Sequence, residues 1–187
     1  MHDLWRLLSA DAARYESRGG WVPNLGFWVG ATYRITEWAR QQPRPAQRYA
    51  VLLPSVALAK FWRATLGVHI MEGASFGPGL CVPRPRSMMI GRVRAGENCL
   101  ISDHVTIGTN ANVAKFATLG DRVALAPGTR ILGPVRIGDD ARTGPNALVT
   151  RNLPAGAEIH AAPPRILRPD ELLPQHRLVP GASNETT

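Results

Sequence analysis

From Met89 onward an aliphatic or small side chain returns every six residues, at Ala95, Ile101, Ile107, Val113, Leu119, Leu125, Ile131, Ile137, Thr143 and Val149. Two residues before each lies a second series, small or β-branched, running from Val93, Cys99 and Val105 to Val135, Ala141 and Ala147. The residue after the aliphatic position is typically Gly or small, as at Gly96, Ser102, Gly108, Gly120, Gly138 and Gly144. A period of six belongs neither to a helix nor to simple strand alternation. It suits a three-sided solenoid in which each repeat is one short strand and one corner, and about eighteen residues close a coil. The aliphatic side chain points inward, the small one fits the narrow interior, and the backbone hydrogen bonds run from coil to coil. Residues 70 to 150 are therefore expected to form a parallel β-helix.

Upstream, Ile70, Phe76 and Val82 keep the period, but Val82 to Met89 is a step of seven. One extra residue in Pro83-Arg84-Pro85-Arg86-Ser87 predicts a bulge or loop leaving the solenoid, a place where function is commonly carried. Residues 1–66 hold all five tryptophans and show helical spacing: Phe27, Ala31, Tyr33, Ile35 and Trp38 on one face, Leu52, Val56, Leu58 and Phe61 on another. Pro23, Pro43, Pro45 and Pro54 predict several short helices there. The expected organisation is an α-helical region at 1–66, a β-helix domain at 67–168 and a polar, flexible tail at 169–187.

The 187 residues carry a net charge of +8, and Lys60 and Lys115 are the only lysines among the basic residues. An arginine-rich surface suits planar anionic partners such as phosphate or carboxylate, and composition bias with solubility explains it equally well. The charge comes with no nucleic-acid-binding motif, so that class is set aside. Cys81 and Cys99 alone make no disulfide framework, which points to a reducing, cytoplasmic setting. Met1 to Arg6 carries an early acid and no apolar stretch, so no secretory leader is expected. The longest apolar run, Tyr49 to Ala59, is broken by Pro54 and too short to span a bilayer.

Hexapeptide repeats of this kind resemble the left-handed β-helix family, an exception to the right-handed crossover rule. Residues 11 to 168 further resemble the serine O-acetyltransferase group of hexapeptide acyltransferases, especially its shorter members associated with polysaccharide biosynthesis. The motifs are Asp11-Ala-Ala-Arg-Tyr15, Tyr33-Arg34 and Trp38 in the helical part, then Gly79 to Gly91, Glu97-Asn98-Cys99, Val105-Thr-Ile-Gly108, Leu119-Gly-Asp121 and Ile131-Leu-Gly133. Val149 to Pro154 and Ala161 to Leu167 resemble the closing segment. The resemblance implies a homotrimer, possibly a dimer of trimers, with active sites between neighbouring solenoids. It implies acetyl-CoA or another acyl-CoA as co-substrate, lying along the later coils. It also implies a histidine base in the extra-residue loop and a second histidine on an inserted loop after Val-Thr-Ile-Gly.

The chain departs at both histidines. Arg84 stands where the base is expected, and a guanidinium does not accept a proton near neutral pH. Ile107, Val113 and Leu119 keep strict six-residue register, so the inserted loop is expected to be absent. His104 is the substitute candidate: one coil on from Arg84, the Ser102-Asp103-His104 stretch should stack beside it, with His104 outward and able to act as base near neutral pH. Asp103 is placed to orient it, although strand neighbours point to opposite faces. A solvated surface residue or trimer contact is the other reading of His104. Arg84 either holds an anionic acceptor group or a developing oxyanion, or is a surface arginine. Of the other histidines, His69 at the solenoid entry suits a structural hydrogen bond, and His160 lies near the closing segment. For the coenzyme, Arg151, Arg165 and Arg168 are placed to meet phosphates, with Pro163 shaping the last coil and Ala161 where the resemblance calls for Gly.

The leading expectation is an acyl-CoA-dependent acyltransferase acting on a hydroxyl or amine of a serine-like or sugar acceptor. The alternative is a catalytically degenerate trimer serving as scaffold or regulatory partner. A zinc-dependent solenoid with three histidine ligands is rejected, because only His104 lies within the regular repeats. No metal is expected.

Overall fold

The computed structural model describes residues 2–108 and 116–163. Helix α1 spans His2–Ala13, a single 3₁₀ turn covers Glu16–Arg18, and α2 (Leu25–Arg40) and α3 (Pro45–Leu66) form a hairpin. Strands follow coil by coil: β1 (His69–Ile70) and β2 (Ser75–Phe76); β3 (Met89–Ile90), β4 (Val93–Ala95) and β5 (Leu100–Ile101); β6 (Thr106–Gly108), β7 (Ala117–Leu119) and β8 (Ala124–Leu125); β9 (Arg130–Leu132), β10 (Arg136–Ile137) and β11 (Arg142–Thr143); β12 (Leu148–Val149) and β13 (Glu158–Ile159). They assemble into three parallel sheets, the faces of a prism. The first face is β1-β3-β6-β9-β12, the second β2-β4-β7-β10, and the third β5-β8-β11-β13.

From Val93 and Ala95 onward, the described members of both inward series sit where the period puts them. Ile101, Ile107, Leu125, Ile131 and Val149 are fully buried, as are Val93, Val105, Val123 and Thr129. Each strand is only two or three residues long, because every corner must turn through about a third of a circle within the six-residue repeat. The αL backbone recurs at the corners in non-glycine residues, Asn98, His104, Arg122, Asp140 and Asn146 among them. Short polar side chains tolerate that conformation best.

Four sequence expectations are corrected in the solenoid and helices. The inward residue of β3 is Ile90, which is buried, while Met89 is exposed. Ile90 pairs with both Ile70 and Ile107, so the Arg84 corner holds two additional residues instead of one, and the next corner, from Ile90 to Ala95, is one residue short. The expected strict register after Ile107 also fails. Ile107 pairs with Ile131, 24 positions on, whereas Ile131 pairs with Val149, 18 on. The same wide step separates Ala95 from Leu119 and Ile101 from Leu125. One repeat's worth of chain is therefore spent between Gly108 and Ala117 beyond what a regular coil needs. Val113 lies outside the described residues.

In the helical region Pro54 does not break the chain: α3 runs through it for 22 residues. Pro54 and Ala50 both lie on the exposed side, so the Ala50 carbonyl, deprived of its helical donor, faces solvent. The predicted inward face of α3 is split. Leu52 and Val56 are partly buried, whereas Leu58 and Phe61 are exposed. The tail from 169 lies outside the described residues.

The helices attach to the first coil through a buried ion pair. Arg34 and Asp11 meet at 3.1 Å with both side chains almost fully buried. Arg34 also donates to the carbonyls of Phe76 and Gly77, and Asp11 Oδ1 accepts the Leu80 amide at 2.8 Å. Every guanidinium nitrogen and both carboxylate oxygens thus find a partner, the condition under which a buried ion pair is tolerated.

Candidate active site

Between the third and first faces the chain turns at the same prism edge in every coil. The Pro83–Ser87 corner lies there in one coil and the Ser102–His104 corner in the next. They stack directly: the His104 amide donates to the Arg86 carbonyl at 2.8 Å. One coil further, the Gly128 amide donates to Asp103. The stacking expected from the period is therefore present.

Asp103 and His104 are not strand neighbours. Both belong to the corner turn, and His104 has a φ of 58°, which cancels the alternation of an extended chain. Their side chains consequently meet, with His104 Nδ1 3.1 Å from Asp103 Oδ2. That overturns the expectation that the two point to opposite faces. The imidazole is 58% exposed, the carboxylate 20%. Desolvation pushes the Asp103 carboxyl up, but the His104 hydrogen bond and the Arg84 and His104 charges outweigh it and hold the group below its ordinary value. Asp103 is thus an anion at neutral pH, and as an acceptor it favours the tautomer with hydrogen on Nδ1. Nε2 then carries a free lone pair, and among the described residues it has no hydrogen-bond partner.

The strand leading into Arg84 is held from behind by residues whose role the sequence left unassigned. The Val82 amide donates to the Tyr15 hydroxyl at 2.9 Å, and that hydroxyl donates to the Val82 carbonyl at 3.3 Å. Gly26 packs its bare Cα against the same carbonyl, where a Cβ would overlap the oxygen. Burial pushes the Tyr15 phenol far above its ordinary value. The sequence signal was present in Asp11-Ala-Ala-Arg-Tyr15 and Tyr33-Arg34, whose polar members anchor the helices to the loop-bearing coil.

The coenzyme candidates do not share one edge. Ala161 and Pro163 follow β13 and continue the edge that carries Arg84 and His104, both exposed. Arg151 lies on the edge between first and second faces, after β12 and before the Leu153 bridge to Ile137. That is also the edge of the 24-residue coil. Arg165 and Arg168 lie outside the described residues. His160 is 3.3 Å from Glu158, and its ring packs against Gly144. A cavity of about 500 Å³ opens elsewhere, between α2, α3 and β1, and holds none of these residues. Among the described residues, no group of three or more His, Cys, Asp or Glu is placed to hold a metal ion.

No family profile matches the chain. Curated relatives do. A serine acetyltransferase of Mycobacterium tuberculosis is 34% identical over 138 residues, covering 72% of this chain and 57% of that protein. One from Helicobacter pylori is 32% identical over 117 residues, covering 61% of this chain and 68% of that protein. The chain belongs to the serine acetyltransferase family. It spans 57% of the length of the first relative and the same share of a Synechococcus elongatus serine acetyltransferase. Among solved structures, the Neisseria gonorrhoeae serine acetyltransferase superposes with a TM-score of 0.69 at 22% identity, over 92% of this chain and 67% of that one. A serine acetyltransferase in complex with CoA gives 0.66 at 21% identity, over 88% and 69%. These likenesses establish the fold of this serine acetyltransferase family member as a left-handed parallel β-helix with a helical N-terminal region, mainly β as the repeats predict. No helix among the described residues is long and apolar enough to cross a membrane.

Proposed function

We propose that this protein transfers an acetyl group from acetyl-CoA to a hydroxyl or amine of a small acceptor, a serine-like amino acid or a sugar, with His104 as general base. The observation that carries this reading is the Asp103–His104 contact of 3.1 Å on an exposed corner stacked against the Arg84 loop. His104 Nε2 takes the acceptor proton as the acceptor oxygen or nitrogen attacks the thioester carbonyl. Asp103 holds the ring and its tautomer. The intermediate collapses, the carbon–sulfur bond breaks, and the departing thiolate recovers the proton from His104. Arg84 offers a fixed positive charge either to a carboxylate of the acceptor or to the oxyanion of the intermediate.

Ala161, Pro163, Arg165 and Arg168 are proposed to hold the coenzyme beyond this corner. Arg151, on another edge of the prism, would serve the same coenzyme from a neighbouring protomer, which is the reason to propose a trimer. Free-thiol release from acetyl-CoA with serine, homoserine and sugar acceptors tests the activity. His104→Ala should reduce it by about 10²–10⁴-fold, and an unchanged rate removes His104 from the role.

A second reading has its own observation. Arg84 stands where the family resemblance calls for a histidine, and no histidine lies between Gly108 and Leu119. A scaffold descended from an enzyme would show both. No thiol release and no thermal shift with coenzyme A would favour it, and gain of serine acetylation in Arg84→His would identify the lost activity.

A further inference from the structure

We infer that α3 docks the protein onto an anionic membrane surface. This goes beyond the proposed chemistry and does not depend on it. The helix is apolar on the side that faces away from the protein: Tyr49 is 55% exposed, Leu53 67%, Leu58 42% and Phe61 53%. Tyr49, Leu53, Ala57 and Phe61 follow one another at four-residue spacing and so form a continuous row along the helix. Pro54 and Leu58 widen it on one side. At 1.5 Å per residue the row from Tyr49 to Phe61 is about 18 Å long. Four exposed large apolar side chains on one helix exceed the scattered singles that any soluble surface carries.

Charge identifies the occupant. No Asp or Glu occurs between Glu37 and Glu72, while Arg44, Arg48, Lys60 and Arg63 fall in and beside α3. Among the described residues none of these four takes part in an ion pair. Lys60 emerges within the apolar row and Arg63 along its border. Lys60 and Arg63 also border the cavity that Glu37 and Glu72 line, but α3 itself carries cations and no acid. Such an apolar strip matches a bilayer with anionic headgroups, into which the row sinks while the cations meet phosphates. A second copy of the same face would bring cation against cation with no acid in either helix, which disfavours self-pairing. The helix itself is not apolar enough to span a bilayer, so it lies on the surface.

The test is cosedimentation of the full chain with vesicles of phosphatidylcholine alone and of phosphatidylcholine with phosphatidylglycerol, together with its mass by light scattering. Binding to the phosphatidylglycerol vesicles only, weakened severalfold by added salt, is the expected result. Leu53→Glu with Phe61→Glu should reduce it at least tenfold while the thermal melt stays unchanged, since both side chains are solvent-facing. Arg48→Gln, Lys60→Gln and Arg63→Gln together should abolish the lipid selectivity without touching the apolar row. Absence of vesicle binding by the wild type overturns the proposal. So does an acidic double variant that binds vesicles equally well, or one whose only change is a smaller oligomer.

Discussion

The Tyr15 hydroxyl takes the Val82 amide at 2.9 Å, two residues before Arg84. A residue from the loop after the first helix thereby fixes the exit point of the corner on which the proposed chemistry depends. Tyr15→Phe deletes the oxygen and leaves a buried amide and carbonyl without their partner, at a cost of about 1–3 kcal/mol. Urea denaturation should show that loss. If the corner is part of the active site, kcat should fall with KM little changed, because the ring remains and only the anchor goes.

Gly26→Ala tests the same anchor from the other side. A methyl there meets the Val82 carbonyl, a backbone atom that cannot rotate away. The strand or α2 must shift, and overpacking of this kind costs about 1–3 kcal/mol or more. A melt unchanged from the wild type would show that the helix is not seated as described.

Arg34→Met removes a guanidinium that holds Asp11 and two carbonyls. An unpaired buried carboxylate remains, so a loss of about 3–5 kcal/mol is expected. The double variant with Asp11→Leu should recover part of it, since no charge is then stranded. Chemical denaturation of the two variants side by side decides the point.

Asp103→Asn keeps the side chain's shape and removes the charge that orients His104. Turnover should drop, though less than with His104→Ala. The Asp103 carboxyl sits below its ordinary value. Its support for the ring is therefore intact across the neutral range and is lost only as pH falls below that of ordinary carboxylates. An acid limb in kcat that moves on Asp103→Asn supports the coupling. His104→Asn, which tolerates the same left-handed backbone, separates loss of the base from loss of the turn.

Alkaline pH should destabilise the fold. Burial pushes the Cys99 thiol up to about 11 and the Tyr33 phenol up to about 12, and raises Cys81 and Tyr15 as well. In the unfolded chain a thiol releases its proton near pH ~8.5 and a phenol near ~10. Above those values the unfolded state binds fewer protons than the native one, so stability falls as pH rises. A melting temperature that declines from about pH 8.5 upward, and thiols that react with a disulfide reagent only after unfolding, are the expected results.

The prism was legible in the sequence because its narrow interior accepts so few side chains that the period survives almost unbroken. The two irregular corners were not. At the Arg84 corner Met88, Met89 and Ile90 are all apolar, so several registers satisfy the pattern and only pairing with Ile107 distinguishes them. The long coil escaped notice because its surplus is one whole repeat, and Val113 supplies an aliphatic residue at the expected slot. The candidate site was half legible. The stacking of Arg84 and His104 follows from coil length alone. The Asp103–His104 contact depends on a turn conformation that alternation rules do not describe. The Tyr15 and Arg34 anchors span some 40 to 70 positions of sequence, a separation at which local patterns carry no information.

The surplus between Gly108 and Ala117 equals one reading unit of the prism, and that arithmetic frees the edge it occupies. The Arg84 corner, with two additional residues, is followed by a corner one residue short, whereas a surplus of six needs no such adjustment. One of this size leaves Leu119 and all that follows seated as before. The chain thus carries a length change of one whole unit there, and the coils on either side keep their shared axis and their seating.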